Sequence, residues 1–196
     1  MSGIQEILSA IGKPSGGVYA PADDTFLMID TLSTMSLRDK DVLDVGTGSG
    51  MLGLFCAKMG ARVTVADIED SALENVRTAS CKLNLTIDVV RSDIFSAVTG
   101  RFDLVLFNPP YLPSDEIKDS AVDGGNNGRR LIDRFLTQVP PHLKTDGVAL
   151  LLVSSLNDPR AIIDSHRELS LNVAASRNLY FEELQVLSCK PRNTPG

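Results

Sequence analysis

Several residue types and patterns are scarce in this chain, and each shortage removes a class of function. Two histidines in 196 residues, His142 and His166, leave no set of side chains for a histidine metal site or a nucleophilic triad. Both fall in helical stretches where a surface or helix-end role suffices. Cys56, Cys81 and Cys189 are odd in number and far apart, which fits reduced, mostly buried thiols rather than a disulfide framework or a metal site. The longest apolar run, Val148 to Val153, has the length of a strand and not of a membrane span. The amino terminus lacks a basic start and a signal-length apolar stretch, so a cytoplasmic location is expected. The formal charge is −6, with no basic footprint beyond Arg129, Arg130 and Arg134, which weighs against a duplex-binding protein. Internal repeats and low-complexity segments are also absent.

What remains is a chain long enough for one well-buried domain, with a hydrophobic fraction of 43% to fill it. A short helix is expected at Ile4 to Ile11, a Gly/Pro/Ser break at Gly12 to Gly17, and a helix from Asp23 to Thr34 whose Phe26, Leu27, Ile29 and Leu32 belong to the core. From Asp41 strands and helices alternate. Strands are expected at Asp41–Val45, Arg62–Ala66, Thr86–Val90, Phe102–Phe107 and Val148–Val153. Helices are expected at Met51–Met59, Ser71–Lys82, from Gly128 to about Leu143, and at Pro159–Leu169. Two closing strands, Asn172–Ser176 and Glu183–Cys189, suit an antiparallel hairpin. The division expected is a single domain, 1–196: a helical extension over 1–40, the core over 41–190, and a flexible tail over 191–196.

Two motifs carry chemistry. Phe102 to Phe107 reads as a buried parallel strand and runs into Asn108-Pro109-Pro110-Tyr111. Such a tetrapeptide can hold a planar nitrogen. Asn108 offers a side-chain carbonyl as acceptor, Pro110 restricts Pro109 to an extended conformation so that its carbonyl can serve as a second, and Tyr111 can stack on the acceptor's plane. The plain alternative is a strand stop built from two prolines and an asparagine. Upstream, Asp41-Val42-Leu43-Asp44-Val45 leads into Gly46-Thr47-Gly48-Ser49-Gly50 and then a helix, a strand–glycine turn–helix unit that admits a nucleoside-bearing ligand.

Gly48 to Gly53 also satisfies the dinucleotide pattern, which alone is a weak signal. Asp44 just before the loop suits a cation better than a pyrophosphate; otherwise it is a strand-end acid bonded to nearby backbone. Asp67 and Asp93 fall at the ends of the next two strands, where an open α/β sheet binds its ligands. Asp67 could accept both ribose hydroxyls, or else cap the following helix. Asp93 could accept an adenine amino group beside Ile94, or else form a turn with Ser92.

On these residues the chain resembles the class I S-adenosylmethionine-dependent methyltransferases. Within them it is similar to the HemK-related glutamine methyltransferases of translation release factors. Gly17-Val18-Tyr19-Ala20-Pro21-Ala22-Asp23-Asp24-Thr25-Phe26 and Asp123-Gly124-Gly125-Asn126-Asn127-Gly128 resemble the short archaeal and eukaryotic branch. The resemblance implies a Rossmann-like α/β fold: a seven-stranded, mostly parallel sheet with a C-terminal antiparallel strand and helices on both faces. It implies S-adenosyl-L-methionine as cofactor, held around Tyr19, Thr25, Asp44, Gly46, Gly48, Asp67, Ile68, Asp93, Ile94 and Asn108. It implies that Asn108, Pro109, Pro110 and Tyr111 are catalytic and, with Leu112, bind substrate, and that no metal is needed. Asp23 stands where the family often has Glu, and Val122 where an aromatic is common.

The reading that follows is in-line methyl transfer to an sp² nitrogen, the side-chain amide of a glutamine in a Gly-Gly-Gln segment of a release factor. Adenine in DNA or RNA presents a similar planar amine, and lysine is a further alternative acceptor. A dehydrogenase reading rests on the glycine pattern alone. About forty residues precede the first sheet strand, so recognition is expected to use loops or a second protein. The third strand should lie at a sheet edge with an unpaired ladder, where short-branch relatives are similar in docking a small zinc-binding activator protein.

Overall fold

The computed structural model describes residues 2–12, 20–110 and 129–192. Two helices come first, α1 (Ser2–Ile11) and α2 (Asp23–Ser33), followed by β1 (Asp41–Val45), α3 (Met51–Lys58), β2 (Arg62–Asp67), α4 (Asp70–Leu83), β3 (Ile87–Arg91) and β4 (Phe102–Phe107). After these lie α5 (Arg129–Gln138), β5 (Leu143–Ser154), α6 (Pro159–Ser165), β6 (Leu169–Asn178) and β7 (Glu183–Pro191). The seven strands form one sheet in the order β3-β2-β1-β4-β5-β7-β6. The pairs from β3 to β5 are parallel, and β7 runs antiparallel between β5 and β6. The Rossmann-like expectation holds, with β3 at an edge.

Alternation of apolar residues builds two cores on one sheet. Val42, Val63, Val65, Leu104, Leu106, Leu150 and Leu152 face a core shared with α1, α2, α3 and α4. Their neighbours Leu43, Val45, Ala66, Val105, Phe107, Leu151 and Val153 face the other, covered by α5 and α6. A strand buried on both sides reads as continuous apolar sequence, which is why β4 and β5 were recognisable. Leu27, Ile29 and Leu32 of α2 are core residues as expected, with Phe26 packed at the margin.

Helix ends differ from expectation. Helix α5 stops at Gln138, not near Leu143, because Pro140 and Pro141 remove two amide donors and leave a short 3₁₀ turn, Pro140–His142. Similarly α6 ends at Ser165 rather than Leu169; His166 takes the expected helix-end place as its cap and is buried there, with its Nδ1 at 3.1 Å from the Ile162 carbonyl. His142 stacks on Phe95, with ring centroids 4.5 Å apart. Cys56 and Cys189 are buried free thiols, while Cys81 is exposed. Strand β5 starts five residues before the expected Val148, with a register shift between Phe102 and Leu104. The tail begins later than Pro191: that residue closes β7, and Arg192 N–H donates to the Glu168 carbonyl at 3.1 Å. Residues 193–196 lie outside the described ones. No helix among the described residues is long and apolar enough to cross a membrane.

Candidate active site at the carboxyl edge of the sheet

Registers align the strand ends that carry the candidate residues. Val45 pairs with Ala66 and with Phe107, and Asp67 pairs with Arg91. Asp44, Asp67 and Asn108 therefore come together at one rim, where β1 turns into the glycine loop. Gly50, at the start of α3, has φ +82°, and a Cβ on it would come within 2.5 Å of Val76 Cγ2, so this turn admits only glycine without a shift.

Asp44 is on the α3 side of the sheet. Its Oδ2 accepts from Thr47 Oγ1 at 2.6 Å and from the Gly53 N–H at 3.0 Å. Gly53 permits this closeness, since a Cβ there would lie 2.7 Å from Val65 Cγ1 and 3.2 Å from Asp44 Oδ2. Burial pushes the Asp44 carboxyl up to about 7 against the pull of Thr47 and Gly53, with Asp67 adding to the rise. Asp67 braces the loop: its Oδ2 accepts from Gly48 N–H at 2.9 Å and its Oδ1 from Glu69 N–H at 3.0 Å. The helix-cap alternative fails, because the cap position of α4 is Glu69.

Asn108 follows β4 and meets a residue that the sequence reading passed over. Asn108 Nδ2 donates to Asp24 Oδ2 at 3.2 Å, while Asp24 Oδ1 accepts from the Thr25 N–H at 2.6 Å and from Thr25 Oγ1 at 3.2 Å. A carboxylate only accepts, so the amide must turn its NH₂ toward Asp24 and keep its carbonyl for something else. That carbonyl oxygen is buried, and no described residue donates to it. Leaving an acceptor so costs about 1–3 kcal/mol, which marks a site rather than a packing accident. Asp24 was legible after all: with Leu27 and Met28 it forms a buried i, i+3, i+4 face of α2, and an acid on such a face needs a partner.

A pocket of about 60 Å³ is lined by Thr25, Asp44, Gly46, Gly48 and Asn108, together with Thr47, Ser49, Met51 and Leu52, which sequence reasoning did not single out. Pro109 is buried and Pro110 exposed. Other expected residues stand apart from this pocket. Asp93 is held by Arg134 at 2.9 Å, and Ile94 is buried beside it with φ +52°, a strained conformation for a β-branched residue. Ile68 is exposed. Asp23 is on the surface against Arg177 at 3.4 Å. Tyr19, Tyr111 and Leu112, and the 123–128 loop, lie outside the described residues.

Among the described residues no Lys, Arg or His pairs with Asp24, Asp44 or Asp67. Asp44 lining the glycine-loop pocket, with Asp24 and Asp67 on the same rim, favours a cationic ligand bearing hydroxyls over a phosphate. A family model for the methyltransferase small domain matches residues 17–178. The chain belongs to this methyltransferase family. A Methanocaldococcus jannaschii protein, named provisionally as a protein N5-glutamine methyltransferase, is 41% identical over 180 residues, 87% of this chain and 90% of that one. Human methyltransferase HEMK2 is 33% identical over 188 residues, 87% of this chain and 88% of its own. Among solved structures, the E. cuniculi Mtq2–Trm112 complex, described as responsible for methylation of the eRF1 translation termination factor, matches with a TM-score of 0.72 at 29% identity, over 89% of this chain and 98% of that one. The small-domain methyltransferase is thus an enzyme, and the expected short-branch resemblance holds.

Proposed function

We propose that this methyltransferase uses S-adenosylmethionine to methylate the side-chain amide nitrogen of a glutamine in a translation release factor. The observation that carries the reading is the buried Asn108 carbonyl, which has no donor among the described residues and is fixed in orientation by Asp24. The relatives' names support glutamine as acceptor and a release factor as substrate.

The residues present fit the cofactor. When bound, S-adenosylmethionine supplies a methyl group on a cationic sulfonium and departs as a neutral thioether. Asp44, with Oδ2 already used by Thr47 and Gly53, keeps Oδ1 for a cationic group. Asp67 retains lone pairs for ribose hydroxyls, and Asp93 keeps Oδ1 for an adenine amino group while Arg134 holds Oδ2. Tyr19, Thr25, Gly46, Gly48, Ile68 and Ile94 complete the proposed cofactor set.

At the acceptor, Asn108 Oδ1 and the Pro109 carbonyl take the two N–H hydrogens of the amide. They orient its nitrogen and favour the positive charge that develops on it, while Tyr111 restricts its plane; Pro110, which holds Pro109 extended, and Leu112 complete the proposed substrate set. No strong base is required, because a methylated cationic nitrogen loses its proton readily.

A partner is proposed at β3. Of the two sheet edges, β6 carries a register shift at Val173/Ala175 that disturbs its ladder, whereas the pairing of β3 is regular through Asp67↔Arg91. A small zinc-binding activator could extend the regular edge. Co-expression with a zinc-ribbon protein followed by size-exclusion chromatography tests this, and a monomer fully active on intact release factor would contradict it.

Incubation with labelled cofactor and either release factor, DNA or RNA, followed by mass spectrometry, tests the acceptor. One methyl on a glutamine is expected; label on adenine or on lysine would overturn the reading.

A further inference from the structure

The loop joining β6 to β7 is Leu179-Tyr180-Phe181-Glu182, closed by Leu179 N–H donating to the Glu182 carbonyl at 2.8 Å. Turns of this kind draw on Gly, Asn and Asp, and nothing in turn chemistry calls for aromatics. Yet Tyr180 is 91% and Phe181 88% exposed, with the rings edge to face and centroids 4.6 Å apart. Scattered exposed apolar residues are ordinary; two adjacent rings on a braced loop are not. The bracing is specific. Ser154 Oγ bonds the Glu182 carboxylate, Glu183 N–H donates to Ser155 Oγ at 3.1 Å, and Arg177 ties β6 to Asp30 of α2 at 2.6 Å and to the Asp23 carbonyl at 3.2 Å.

These tethers place the loop on the active-site rim. Strand β7 begins opposite Ser154, the carboxyl end of β5, and β5 neighbours β4, which delivers Asn108. Two strand spacings separate β4 from β7, about 10 Å. An extended chain covers that distance in about three or four residues.

We infer that Tyr180 and Phe181 dock the segment of the protein substrate that lies three to four residues from the acceptor glutamine. The inference rests on the proposed protein substrate. Glu182 and Glu183 beside the rings, on a chain of charge −6, select a segment bearing an arginine or lysine next to an apolar residue. Leu156, 46% exposed on the turn after β5, extends the apolar surface.

The test compares intact release factor with a short peptide that ends two residues either side of the glutamine, using the full chain with its activator where activity requires one. Tyr180→Ser/Phe181→Ser is expected to raise KM for the intact factor about tenfold or more, with kcat, cofactor affinity and peptide methylation unchanged. Tyr180→Phe keeps the ring and is expected to keep KM. An unchanged KM for the factor overturns the inference, as does an equal loss on factor and peptide, or a wild-type dimer that the double substitution converts to monomer. If the wild-type enzyme leaves the factor unlabelled, the proposed function itself falls, and the inference with it.

Discussion

The two ends of the sheet use aspartate in opposite ways. At the amino end, Asp41 and Asp103 are surrounded by cations: Arg62 lies 2.6 Å from Asp41, and Lys144 reaches Asp103 at 2.7 Å, with Lys40 at 3.4 Å. Lys144 holds the Asp103 carboxyl down to about 2, and Arg62 and Lys144 hold that of Asp41 below its usual range. At the carboxyl end, Asp44 accepts from the Thr47 hydroxyl and the Gly53 N–H, yet burial drives it up to about 7. Asp41 and Asp103 have their counter-ions inside the protein and join strands; Asp44 has none among the described residues and awaits a cation from outside. The sheet is thus stabilised at one end and left electrostatically incomplete at the other.

Removing the incompleteness should show most strongly in stability. Asp44→Asn keeps an oxygen for Thr47 and Gly53 but no charge. The Asp44 pKa is higher folded than unfolded, so its stabilising contribution is full below about 4 and is lost as pH rises through 7. The variant should therefore match the wild type near pH 4 and exceed it at pH 8 by up to about 4 kcal/mol in denaturant unfolding of the cofactor-free enzyme. Cofactor binding should weaken in the same variant. Equal stability at pH 8 would mean that Asp44 carries no such burden.

Asn108→Ala comes next. Losing one oriented acceptor at the reacting centre is expected to reduce transfer about a hundredfold, on the order of 3 kcal/mol, with cofactor affinity kept within several-fold. Near-normal turnover in single-turnover kinetics would remove Asn108 from the mechanism. Asp24→Asn sharpens the same point from one layer out, since an amide at 24 no longer compels Asn108 to present its carbonyl. A loss of about 1–2 kcal/mol in kcat with little change in cofactor affinity is expected.

The amino end should respond least. Lys144→Met removes ion pairs that are open to solvent and screened by it, so only a small loss of stability at pH 7 is expected, the smallest of the set. Asp103 is depressed on folding, and its contribution is present above about 4 and lost as pH falls through 2. The difference between variant and wild type should therefore close at pH 2 in thermal unfolding.

These contrasts also show what a one-dimensional reading can reach. Asp44, Asp67 and Asn108 were legible because each ends an apolar strand, and parallel strands bring their carboxyl ends to one rim. Asp24 is marked by helical periodicity, whereas the family pattern draws attention to Asp23, its exposed neighbour. Arg134 on Asp93 could not be read, because the pair spans 41 positions and nothing local announces it. The early end of α5 was visible in Pro140-Pro141, while that of α6 at the His166 cap depends on burial against Asp133 and the rest of the second core.

Calorimetry of S-adenosylmethionine binding between pH 6 and pH 8, in buffers of different ionisation enthalpy, tests the central claim most directly. A cation that completes the carboxyl end must ionise Asp44. The wild type should release up to one proton on binding at pH 6 and gain affinity as pH rises toward 7, and Asp44→Asn should lack both effects. Affinity and proton release that are the same in wild type and Asp44→Asn across this range would contradict it.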